Sequence, residues 1–119
     1  MSEEIPIHVM GYRTNIEQGM REILTSLNID FLEQHPTPSG FVLDFAIIID
    51  RKENKKVAIE CDGSKWHSSK KAKQRDRFRD YMLRKSGWTI LRFGENEITL
   101  DNVKNRIGEV YVKWNVDIL

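Results

Sequence analysis

Cysteine is almost missing from this 119-residue chain. Cys61 is the only one, so no intrachain disulfide can form, and an intracellular, cytoplasmic home is expected. Histidine is sparse too. Three of them, far apart, together with one cysteine make no zinc-binding spacing. No apolar run approaches the ~20 residues that span a bilayer, and Met1-Ser2-Glu3-Glu4 lacks the basic-then-apolar order of a secretory leader. Repeats, low-complexity tracts and internal linkers are absent as well. Net charge is close to nil, a formal +1, and by its total says nothing about partners.

What remains is 39% apolar and 31% charged, the composition of a soluble globular protein. The length suits one domain with one modest core. A single domain over 1–119 is expected, with its core at about 14–98 and a C-terminal helix at about 100–115. Charge is unevenly placed. Residues 65–85 hold nine basic and two acidic residues, a local +7 that leaves −6 on the rest. A face for a polyanion and a plain solvated basic helix both fit that asymmetry.

Thr14-Asn15-Ile16-Glu17 has capping-box form, and Ile16, Met20, Ile23, Leu24 and Leu27 make the one-sided stripe of a helix at about 14–28. Asn28 suits its C-terminal end. Residues 1–12 read as an edge strand or a tail. A short strand is expected at 29–34, then a loop from His35 to Gly40. Phe41 to Ile49 is the strongest strand, interrupted by Asp44, a residue that strands disfavour. A polar connection, 50–56, returns the chain to a second strand at 57–62, which pairs antiparallel with the first. The polar stretch 64–71 reads as loop. A helix is expected at 73–86, with Phe78, Tyr81 and Met82 near one face and Gly87 stopping it. A strand follows at 88–93. Thr99 or Asp101 caps a last helix with the stripe Val103, Ile107, Val110, Tyr111, Trp114.

The chemistry concentrates where the strand 57–59 runs into Glu60-Cys61-Asp62-Gly63, with Lys65 and His67 just beyond. An apolar strand that ends in acids needs something for those acids to meet, because a buried unpaired carboxylate is costly. A hairpin brings Asp44 beside Glu60, and the Cys61 carbonyl lies between them. Hard oxygen donors of this kind suit Mg²⁺, and one or two such ions serve phosphodiester hydrolysis. Plainer readings fit the same residues. Acids at strand ends are also ordinary polar residues, Glu17 is also a capping-box acid, and Asp62 is also a turn residue before Gly63. Cys61 reads as a small buried side chain rather than a nucleophile. Asp76 and Arg79 are spaced for a helix-surface ion pair. Arg92 suits either a phosphate or an acid. Trp66, Trp88 and Trp114 read as core or partner-facing before base-stacking.

The order helix, Asp in a strand, hairpin, Glu-x-Asp-Gly resembles the PD-(D/E)XK nuclease superfamily. More closely, Thr14-x-x-Glu17, Asp44-Phe45, Ile59-Glu60-Cys61-Asp62-Gly63, Trp66-His67, Arg75-Asp76, Arg79-Asp80, Gly87-Trp88 and Leu91-Arg92-Phe93 look like the short proteins related to very-short-patch-repair (Vsr) endonucleases, over residues 14–98. The resemblance implies an α/β fold of the α+β type with a mixed sheet, a restriction-endonuclease-like core in the order α-β-β-β-α-β-α. It implies a Mg²⁺-dependent endodeoxyribonuclease, with Mn²⁺ as a substitute. Asp44 and Glu60 then bind metal and Cys61 lends its carbonyl. Glu17 helps to bind metal or orient water. His67 shuttles a proton or touches the phosphate. Asp62 stands where the superfamily carries lysine, so it is grouped with the catalytic positions while the cation must come from elsewhere. Lys65 replaces that cation and His67 is the substitute base.

Lys65, Lys70, Lys71, Lys73, Arg75, Arg79 and Arg92 are the expected nucleic-acid-binding residues. Phosphate contacts of this kind supply affinity without reading sequence. DNA is the expected partner, with specificity supplied by a homodimer or by a fused or associated protein. Two rival readings remain: a non-catalytic nucleic-acid-binding module of the same fold, and an assembly subunit docking through the C-terminal helix.

Overall fold

A computed structural model of the chain describes residues 14–62 and 69–117. Its elements are helix α1 (Thr14–Ser26), strands β1 (Leu32–Pro36), β2 (Val42–Asp50) and β3 (Lys55–Asp62), helix α2 (Lys70–Lys85), strand β4 (Trp88–Gly94) and helix α3 (Leu100–Trp114), with a 3-10 turn at Glu95–Glu97. This is the expected order. The edge strand or tail of residues 1–12 lies outside the described residues, as does the Thr14 side chain of the capping box. No helix among the described residues is long and apolar enough to cross a membrane.

The four strands lie in the order β1-β2-β3-β4. β1 and β2 pair antiparallel, as do β2 and β3, while β3 and β4 are parallel because α2 carries the chain over between them. β3 is therefore central, and its run from Val57 to Glu60 is buried at every position. Alternation sends Val57 and Ile59 to one face. There they pack with Phe45, Ile47 and Phe93 and with Met20 and Leu24 of α1 and Val103, Ile107, Val110 and Tyr111 of α3. Ala58 joins Ala46 on the other face, with Leu43, Trp88 and Leu83 of α2. Small side chains on that face leave α2 room to lie close to the sheet.

Three boundaries differ from the sequence reading. Asn28 takes the left-handed φ of 62°, and the Ile29 amide donates to the Leu24 carbonyl at 3.1 Å, so the helix end holds these residues and β1 begins only at Leu32. β1 then runs into the expected loop as far as Pro36, which an edge strand accommodates. α2 starts at Lys70 rather than near 73, because Ser69 caps it by accepting the Ala72 amide at 3.1 Å. The expected apolar face of α2 also fails. Its buried residues are Ala72 and Leu83, whereas Phe78 and Tyr81 are 59% and 58% exposed.

Gly87 ends α2 as expected, at φ 94°. A Cβ there would stand 2.4 Å from Asn54 Oδ1 in the β2–β3 turn. Gly87→Ala should therefore cost about 2 kcal/mol, from left-handed strain and displacement of Asn54. A urea midpoint lower than the parent's, at unchanged slope, is the expected readout.

Candidate active site

The β2–β3 ladder makes its last pair at Phe45↔Ile59, one residue short of Asp44 and Glu60, while β3 stays paired with β4 to its end at Asp62↔Gly94. The two strands thus part where the acids begin. Facing alternation in β2 also breaks there, since Leu43 joins the same cluster as Ala46. Opposite this break, Gln34 of β1 has a φ of 48°. Parting leaves the Cys61 amide beyond the ladder, and Asp44 takes it: Cys61 N–H donates to Asp44 Oδ2 at 2.8 Å. An aspartate interrupting an apolar strand is explained by this bond.

Glu60 is only 5% exposed. Burial pushes its carboxyl up from 4.5 to about 7; the Arg79 guanidinium opposes that rise, and the neighbouring Asp44 charge adds to it. Arg79 reaches across from α2 to place Nη2 2.8 Å from Glu60 Oε2, and the same nitrogen donates to the Val42 carbonyl at 3.1 Å. Glu60 Oε2 is fully buried, and the Arg79 guanidinium is the partner that faces it. Within the helix Arg79 is spaced to pair with Asp76, and its reach to Glu60 on β3 is not legible from that spacing.

Cys61 is the centre of the charge. Burial pushes its thiol far up, and Asp44, Glu17, Glu60 and Asp62, in that order, push the same way. The thiol stays protonated, which suits a small buried side chain and not a nucleophile. The same fact brings four acids from three elements into electrostatic reach of one residue.

Asp62 is held by Arg92, whose Nη1 lies 3.2 Å from Asp62 Oδ2 and whose Nη2 lies 2.5 Å from Asp80 Oδ1. Burial pulls the Arg92 guanidinium down, but the Asp62 charge, its hydrogen bond and Asp80 together outweigh this and raise it above its ordinary range. Of the two roles open to Arg92, pairing with acids is the one seen. Its own carbonyl accepts from Arg106 Nη1 at 2.8 Å, and the Arg106 guanidinium stands 4.2 Å over Phe93. These contacts tie α2, β3, β4 and α3 together beside the acids.

Both the family comparison and the structural comparison point one way. A family profile described as REase_MTES_1575 matches residues 16–107. The chain belongs to this restriction-endonuclease-like family. The match begins in α1 and ends within α3, so it takes in every acid just described. The fold is also similar to a solved structure, the catalytic domain of the homing endonuclease I-Bth0305I, with a TM-score of 0.62 and 26% identity over 82% of this chain and 93% of that one. No curated protein matches it.

For this restriction-endonuclease-like protein, the donor chemistry can be tested against a divalent cation. No three His, Cys, Asp or Glu side chains among the described residues form a ready metal cluster. Mg²⁺ asks for less, one or two carboxylates with carbonyls and water. Asp44 and Glu60 are two carboxylates of that kind, and Glu60 Oε2 is paired with Arg79. The set fits a hard cation, on the condition that Arg79 yields Glu60. Lys65, Trp66 and His67 lie outside the described residues. Lys70, Lys71, Lys73 and Arg75 are exposed along α2, as a polyanion-binding surface requires. Trp88 is buried in the cluster beneath α2 and Trp114 packs against the cluster on the other face of the sheet, in line with their structural readings. Nothing in the spacing of the sequence marks Asp80 as the partner of Arg92.

Proposed function

We propose that the chain is a divalent-metal-dependent endonuclease that hydrolyses phosphodiester bonds in DNA, of the kind related to Vsr endonucleases. One observation carries this: the β2–β3 pairing ends just before Asp44 and Glu60, and there the Glu60 carboxylate is buried with its pKa pushed up to about 7. The restriction-endonuclease-like family and the homing-endonuclease likeness support it. A divalent cation held by Asp44, Glu60 and the Cys61 carbonyl would supply Lewis-acid stabilisation of the phosphoryl oxygens and lower the pKa of a bound water. The chain's own part is positional. Cys61 N–H fixes one oxygen of Asp44. Glu17 orients the attacking water, and His67 takes or returns its proton. Arg92 is committed to Asp62 and Asp80 and holds α2 against the acids. The exposed lysines and arginines of α2 hold the DNA backbone.

The Arg79–Glu60 ion pair favours a second reading, a binding module in which an arginine permanently replaces metal. Supercoiled plasmid separates the two. A nuclease converts it to nicked or linear DNA in Mg²⁺ and not in EDTA, and Asp44→Ala abolishes the conversion. A binder retards the plasmid without cutting it, and Asp44→Ala changes nothing.

A further inference from the structure

Lys71, Gln74, Arg75 and Phe78 of α2 recur at i, i+3, i+4 and i+7, the spacing of a buried helical face. Here the face is open: Phe78 is 59% exposed and Lys71, Gln74 and Arg75 are exposed beside it. Together with Phe41 they line a cleft of about 540 Å³. Its two rings meet edge to face, centroids 6.4 Å apart at 67°. Phe41 leads directly to the acids, because the Arg79 guanidinium stands 5.8 Å over its ring and 2.8 Å from Glu60 Oε2.

We propose that this cleft takes an unpaired nucleobase of the strand whose backbone lies on α2. The argument rests on charge and shape together. α2 carries eight basic and two acidic residues, so a polyanion is the complementary partner. The planar rings among the cations add the stacking surface that a single-stranded polyanion uses. A base in a paired stack offers no open face. An unpaired base offers a π face to Phe78 or Phe41, and its edge to the Gln74 amide, while the flanking phosphates meet Lys71 and Arg75. The proposal rests on the reading of the chain as a DNA nuclease only in taking DNA as the polyanion; the binding itself needs neither metal nor chemistry. It implies that the substrate is a site with an unpaired or displaced base rather than intact duplex.

The test uses the full chain in EDTA, with fluorescent single-stranded DNA, the same sequence as RNA, and a blunt duplex, each titrated over a range of salt. Phe78→Ala should weaken single-strand binding roughly 5- to 150-fold, the range for loss of one base stack. It should leave the salt slope and duplex binding unchanged. Phe78→Tyr should restore affinity and Phe78→Leu should not. Arg75→Ala should instead flatten the salt slope on every ligand. Equal affinities of Phe78→Ala and parent for single strands would overturn the proposal, as would full rescue by leucine. Concentration-dependent self-association abolished by Phe78→Ala would overturn it too, by assigning the cleft to a second copy. Tighter binding of RNA than DNA, with the same Phe78 dependence, supports the cleft and moves the sugar preference. Failure of Mg²⁺-dependent cutting would refute the nuclease reading and leave these binding ratios standing.

Discussion

Glu60→Gln is expected to leave the fold and DNA affinity intact while slowing Mg²⁺-dependent cutting by more than a hundredfold. Replacing groups that merely support a metal ligand costs about 10- to 100-fold, and Glu60 is placed to be a ligand itself. Gln keeps the size and one acceptor oxygen toward Arg79, so packing is preserved and the negative charge alone is removed. Single-turnover cleavage of plasmid, read beside gel retardation, separates loss of chemistry from loss of binding. A variant that cuts at the parent's rate would show that the Glu60 charge takes no part.

The same substitution should stabilise the metal-free protein at alkaline pH. Burial raises the Glu60 carboxyl from 4.5 to about 7, so the folded state binds its proton more tightly than the unfolded chain does. That preference contributes stability fully below pH 4.5, loses it progressively between 4.5 and 7, and contributes nothing above. The shift corresponds to something on the order of 3 kcal/mol for a group this buried. Glu60→Gln carries no such dependence. The stability difference between variant and parent should therefore grow in favour of the variant from pH 4 to pH 8, by urea unfolding with equal slopes. Mg²⁺ should then recover the parent's deficit at pH 8, by about 2.7 kcal/mol at a hundred times its dissociation constant, and do far less for the variant. A difference flat across this range would mean that the buried charge is already compensated, with Arg79 as its permanent partner.

The strands and helices were legible because their burial follows simple periods. The α1 stripe at Met20 and Leu24, the α3 stripe from Val103 to Tyr111, and the two-sided burial of Val57 to Ile59 all read directly from residue order. So did Gly87, whose positive φ a helix end demands. What periodicity could not carry was the parting of β2 from β3, because it depends on where a ladder stops and not on any residue's propensity. Asp44 is an anomaly in an otherwise apolar strand. That it would take the Cys61 amide required knowing that β2 no longer did. The partners of Arg79 and Arg92 were equally hidden, since each lies on another element and long side chains reach over many sequence registers. α2 misled in a different way. Its apolar residues Phe78 and Tyr81 suggested a core face, but Ala72 and Leu83 meet the sheet and the rings look outward.

The most direct measurement is anomalous diffraction from crystals soaked in Mn²⁺. The expected result is a single strong peak bound by Asp44, Glu60 and the Cys61 carbonyl, with the Arg79 guanidinium moved off Glu60. No peak at these oxygens, and Arg79 still 2.8 Å from Glu60 Oε2, would contradict the metal-dependent mechanism.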